Sequence, residues 1–200
     1  MIPQSDEDHA YSEGLKEGLR ILKMYGIAVD QDISKMSFKK EEMKMKVALK
    51  GSYSALMKIK LVDDCPILYL IQHIQKYAFF SGHDSHATVL GYRAIQYAMK
   101  NGMDSHLPPV VSITATSLAK QGKIKTAQEI GNVSLALCDF FPTDINCCAL
   151  TRLMVHGTIL TVMQPFHLST EPLLQVHKDL KLVGGMTEAL LGSMLSYFER

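Results

Sequence analysis

The chain has 200 residues, of which 47% are apolar and 20% charged, with a formal net charge of +1 at pH 7. That balance excludes intrinsic disorder and argues against nucleic-acid binding as a main activity of the whole domain. The absence of Trp, an 8% aromatic content and as many as 12 Met suit a helical core of flexible aliphatic side chains better than a β-sandwich.

The opening stretch, Met1 to Asp8, is acidic and polar and has neither the basic nor the apolar region of a secretory signal. Residues 1–12 read as a flexible lead, although Ser5 followed by Asp8 resembles a helix capping box. A helix is then expected through Leu15, Leu19, Leu22 and Tyr25 to Gly26, with a connector from Ile27 to Met36. Ser37 is placed to cap a helix from Phe38 to Lys50. The alternation Met43-Lys44-Met45-Lys46-Val47 would also suit a strand, but nothing else in the chain offers a strand partner, which favours helix. Residues 13–65 thus read as N-terminal helices and a basic connector.

Beyond that point, breakers fall at intervals of about twenty residues: Gly82, Gly102, Gly122, Pro142, Gln164-Pro165 and Gly184-Gly185. Pro66 sits where a first helical turn needs no N–H, and Ile67, Leu70, Ile71, Ile74 and Tyr77 follow helical spacing up to Ser81. Further helices are expected over 85–101, 109–121, 123–140, 143–163 and 170–183, and from Met186 to the end. Helices of this length with such short links must fold back on one another as antiparallel hairpins of about forty residues. Pairs of small residues four apart, Ala115 with Ala119 and Ala127 with Gly131, would let neighbouring helices approach closely. The expected fold is therefore all-α, with residues 66–200 forming stacked hairpins that belong to a longer array. The stretch from Ile145 to Met163 is apolar, yet Asn146, Arg152, His156 and Gly157 interrupt it, so a buried helix is expected rather than a membrane span. Cys65, Cys138, Cys147 and Cys148 contain no CxxC pair and read as reduced thiols of a cytoplasmic protein.

Within residues 108–141, Ala115, Leu118, Gly122, Ile124 and Ala127 occupy the positions where a tetratricopeptide repeat wants small, large, turn, large and small residues, and Pro142 falls near its closing Pro. This segment resembles such a repeat, although Val111, Gly131 and Ser134 depart from it. Over most of the chain the order of motifs is similar to the tetratricopeptide-like helical region downstream of the AAA-type ATPase in large multidomain signalling proteins. Those motifs are GLxxGLxxLxxYGI from Gly14, the Lys-rich helix, Leu61-Val62-Asp63-Asp64-Cys65-Pro66 and GKIKTAQEIGNVSLAL from Gly122. The resemblance implies an α-solenoid that acts as a non-catalytic scaffold or coupling module for protein partners or neighbouring domains. It also implies that the chain is a segment of a larger ATPase and kinase protein, which the apparent mid-helix ending at Ser193 to Arg200 fits.

No phosphate loop, kinase signature or G-x-S-x-G elbow is present, and the residues assign no catalytic, cofactor-binding or metal site. Three constellations stand as alternatives to bland structural roles. His83 and His86 are spaced to share a metal on one helical face, or else solvate a polar turn. Arg152 and His156, four apart, could hold an anionic ligand, or could bond within the core; either pair would suit a small all-α metal- or ligand-binding protein or enzyme. A nucleophilic role for Cys147 or Cys148 would need a base held beside it, and no local signature supplies one. Lys35, Lys39, Lys40, Lys44, Lys46, Lys50, Lys58 and Lys60 alternate with Met36, Met43, Met45 and Met57. That segment suits docking to an acidic partner, calmodulin or a membrane surface, or else a solvated Lys face over a Met-lined core.

Overall fold

The structure, a computed structural model, describes residues 6–163, 165 and 167–184. All its regular elements are helical, and among the described residues the only β-pairing is one isolated parallel bridge, Leu61 with Met103. The helices are α1 (Asp6–Met24), α2 (Lys35–Ala48), α3 (Pro66–Phe80), α4 (Asp84–Asn101), α5 (Leu107–Lys120), α6 (Ile124–Leu137), α7 (Ile145–Met154), α8 (Thr161–Met163) and α9 (His167–Leu182). Short 3₁₀ turns occupy Tyr53–Lys58 and Cys138–Phe140.

Glycines set the tightest reversals. Gly82 and Gly122 hold φ of 74° and 80°, a left-handed conformation that an L side chain resists. Each closes its helix with a six-to-one bond, His83 N to Ala78 O at 2.8 Å and Lys123 N to Leu118 O at 3.0 Å. The chain therefore reverses within residues 81–83 and 121–123, and α3 packs on α4 as α5 packs on α6. Helices two apart also meet: α1 with α3, α3 with α5, and α5 with α7.

This leaves α5 enclosed. Every residue from 107 to 118 is buried, including Ser112, Thr114, Thr116 and Ser117. Three of those hydroxyls donate to carbonyls of their own helix, Ser112 to Pro109, Thr114 to Val110 and Thr116 to Ser112, so burial leaves them hydrogen-bonded. Gln75 of α3, fully buried, shares the two N–H groups of Nε2 among Ala87 O at 2.8 Å, Thr114 Oγ1 at 2.9 Å and Val110 O at 3.2 Å, tying three helices at one point. Gly91 of α4 faces the same point, with no room for a side chain against Thr114. Gly18 packs similarly on Ile74, and Gly131 of α6 on Val155 and Ile159, as the small-residue spacing of Ala127 and Gly131 anticipates.

The N-terminal half is laid over the hairpins. Leu15, Leu19 and Leu22 bury against the core, whereas Tyr25 lies past the helix end and is exposed. Backbone helix begins at Asp6, so it enters the segment read as a flexible lead; Ser5 and its capping box lie outside the described residues. α2 is a helix, not a strand, but its cap is Ser34 rather than Ser37. Ser34 Oγ accepts from Ser37 N at 3.1 Å, because the connector ends one turn earlier than the apolar pattern suggests. α2 rests on α4, and the following 3₁₀ turn on α6. Residues 60–62 then run beside Met103, with Val62 N donating to Met103 O and Met103 N to Lys60 O, both at 2.9 Å. Buried Asp104 clasps this crossing, accepting from Cys65 N at 2.9 Å and His106 N at 3.1 Å.

The expected helix over 143–163 is a continuous helical run over 145–163, in which α7 passes through a π-helical stretch, Val155–Leu160, into α8. Within it Thr158 bonds Met154 O and meets Thr116 of α5 at 3.0 Å, and Val155 and Ile159 fill the space left by Gly131. α9 packs on α7 through a smaller core of Ala149, Leu153, Leu173, Val176 and Leu180. The helix expected from Met186 onward lies outside the described residues.

Candidate functional site

α2 carries two apolar stripes. The inner one, Phe38, Met45 and Leu49, packs into the core; Phe38 meets the ring of buried Tyr92 edge-on, with centroids 6.0 Å apart. The outer one, Met36, Met43 and Val47, is 81%, 68% and 75% exposed. The reading of a Lys face over a Met-lined core thus holds for Met45 and Met57 but not for Met36 and Met43.

Charge sorts the same way. Glu41 is buried and turned inward, with Oε2 2.9 Å from Arg93 Nε and Oε1 accepting from Arg93 Nη2 at 3.1 Å and from Lys44 Nζ at 2.8 Å. Glu42 meets Lys46 at 3.1 Å and Lys123 at 3.5 Å. Burial works against its charge, but these two ammonium groups hold its carboxyl below the usual range. Both acids of the segment are thereby neutralised. Lys35, Lys39 and Lys40 are left with no carboxylate within ion-pair reach among the described residues.

Two adjoining features border this helix. One is the open, convex face of α2 itself, formed by Met36, Lys39, Lys40, Met43, Lys44 and Val47. The other, a recess of about 580 Å³, shares Met36 and Lys39 but has walls: α2 on one side, and Ser85, Gln121 and Lys123 on the other. Together they make a basic, Met-bearing surface along the whole of α2.

The other candidates are placed differently. His83 and His86 meet edge to face with centroids 5.6 Å apart, and His86 Nε2 bonds Gln31 O at 2.9 Å, pinning the connector before α2. Among the described residues, no group of three or more His, Cys, Asp or Glu is set to hold a metal. Arg152 meets Asp179 of α9 at 3.4 Å, and the buried Nδ1 of His156 has no hydrogen-bond partner among the described residues. The four cysteines are free and buried.

Cys147 does acquire an imidazole from outside its local sequence, with its Sγ 3.6 Å from His106 Nδ1. Sequence gave no signal of this, because the two lie forty-one positions apart in different helical hairpins. The same Nδ1 is 2.9 Å from Gln72 Oε1, so the Gln72 amide competes with sulfur for this nitrogen. Burial, with Asp144 nearby, pushes the thiol up to about 12. The thiol is therefore held neutral, which is the opposite of an activated nucleophile.

Burial lowers the affinity of His73, His86 and His156 for a proton below the ordinary 6.5. The unfolded chain then binds more protons than the folded one as pH falls below 6.5, so stability is full above that value and declines beneath it. Asp104, whose carboxyl is raised by burial, acts oppositely, adding stability as pH falls toward 3.8. The urea midpoint should drop between pH 7.5 and 5.5, and His156→Leu should flatten part of the drop. An equal or higher midpoint at pH 5.5 contradicts this.

No family model, curated protein or solved structure matches the chain. None of these comparisons links it to the ATPase-associated helical region. No helix among the described residues is long and apolar enough to cross a membrane.

Proposed function

We propose that this chain is a non-catalytic helical scaffold, a cytoplasmic contact module built of stacked hairpins in the manner of a tetratricopeptide-like solenoid. Its working surface is the outer face of α2. The observation that carries the reading is the exposure of Met36, Met43 and Val47 in one row, on a helix whose opposite face is already buried. A contiguous exposed apolar row rimmed by polar and charged residues is the kind of patch that marks a protein interaction site. The contacts of α3, α5 and α7 in succession support the stacked arrangement, in which each hairpin touches its neighbours and conformational change passes along the array. The resemblance noted in the sequence adds that the partners are neighbouring domains of a longer signalling protein.

A photo-crosslinking residue at position 43, in cells that make the chain, should give discrete protein adducts. The same residue at position 24, an exposed Met on α1, should not. Identical adduct patterns from the two positions, or none from position 43, would sink the reading.

A further inference from the structure

We propose that the α2 face takes an acidic, amphipathic helical segment of a protein partner. The inference rests on the interaction-module reading and adds the partner's chemistry.

Three observations converge on that chemistry. The first is charge. Glu41 and Glu42 both point to cations of the fold, so Lys35, Lys39 and Lys40 rim the outer row with positive charge that lacks a counterpart among the described residues. A partner bearing carboxylates gains both attraction and orientation from such a rim. The second is apolar spacing. Met36, Met43 and Val47 stand at i, i+7 and i+11, a row of about 16 Å at 1.5 Å per residue, which matches three turns of a partner helix. Flexible, polarizable Met side chains adapt to the knobs of such a helix.

The third observation separates a protein partner from a lipid surface. The recess beside Met36 is walled by Ser85, Gln121 and Lys123, and Phe38 lines it. Lys123 lies over the Phe38 ring, 4.7 Å from its centroid, and beside Glu42. A bilayer is planar and meets the convex ridge of α2 but not a recess behind it. A peptide side chain reaches in, setting an apolar anchor against Met36 and Phe38 with a carboxylate toward Lys35 or Lys39.

The test pans a phage-displayed library of random peptides, about 16 residues long to span the row, against the full chain. Enriched sequences should be net acidic with apolar residues three and four apart. As synthetic peptides, read by fluorescence anisotropy, they should lose about tenfold in affinity in Lys39→Glu/Lys40→Glu and in Met43→Ser/Val47→Ser. These positions are exposed, so both variants should keep the wild-type circular dichroism spectrum and melting profile, which must be checked first. Enriched peptides that depend on Met43 and Val47 but carry no acidic excess would overturn the partner chemistry and leave the interaction surface standing. Peptides indifferent to all four substitutions would overturn both. Retention of the chain by phosphatidylserine vesicles through Lys39 and Lys40, without comparable peptide binding, would overturn the protein partner in favour of a membrane.

Discussion

Replacing Gly91 with Ala is expected to destabilise the fold by about 2–3 kcal/mol, a large fraction of the roughly 5–15 kcal/mol typical of a folded domain. On an isolated helix the change would be favourable by about 1 kcal/mol, because Ala is the better helix former. Here packing decides the sign. A Cβ on Gly91 would overlap Thr114 Oγ1 and stand only 2.8 Å from Thr114 Cβ. Thr114 cannot turn away cheaply: its hydroxyl donates to Val110 O at 2.7 Å and accepts from Gln75 Nε2 at 2.9 Å. Relief would need α4 and α5 to separate, and with them the three-helix junction at Gln75. Urea unfolding followed by circular dichroism should show the loss, and Thr114→Ala in the same chain should return about 1–2 kcal/mol of it. A Gly91→Ala midpoint equal to wild type would mean that α4 and α5 do not approach as closely as described. Gly122→Ala provides the contrast. It meets no atom within 4 Å but must hold φ near +80°, so it should cost only about 1–2 kcal/mol.

These two glycines also show what could be read in the sequence. Gly122 was legible, since a turn glycine announces itself by ending a periodic run, and the twenty-residue rhythm of breakers placed most of the helices within a few residues. Gly91 was not. In one dimension it is merely a poor helix former, and the reason for it lies on α5, twenty-three positions away. The buried face of α5 escaped for a related cause. Ser112, Thr114 and Thr116 look solvent-facing, yet each hydroxyl bonds within its own helix and becomes fit for the interior. Gln72 and Gln75 likewise interrupt the apolar pattern of α3 and still lie inside, because α4 and α5 supply acceptors and a histidine partner that no local window contains. The candidate surface was half legible: the basic, Met-rich composition of α2 stood out, but not which Met faced outward.

That orientation depends on one ion pair, and its removal is the second large effect expected. Phe38, Met45 and Leu49 on one side and Met36, Met43 and Val47 on the other are apolar rows of similar strength, so periodicity alone does not choose between them. Glu41 does. It stands in the middle of the inner row and is neutralised there by Arg93 of α4, with two N···O contacts at 2.9 and 3.1 Å. Glu41→Ala strands the guanidinium of Arg93, whose side chain keeps 28% of its exposure. Losing one partner of a fully buried pair costs about 3–5 kcal/mol, and partial access of water to Arg93 reduces this to about 2–3 kcal/mol. Glu41→Gln keeps the shape and should cost most of the same, which separates charge from packing. Removing both charges, as Glu41→Leu with Arg93→Met, should return stability to within about 1 kcal/mol of wild type, since a desolvated pair is readily replaced by apolar contact. Amide exchange locates the effect: α2 should exchange faster in Glu41→Ala while α5 remains protected. Uniform acceleration in both helices would show that the pair supports the whole core rather than the seating of α2. A helix freed of Glu41 can also roll toward its outer row, so Glu41→Ala should partly shield a Met43→Cys thiol from alkylation, and unchanged reactivity would show that the inner row holds α2 without the ion pair.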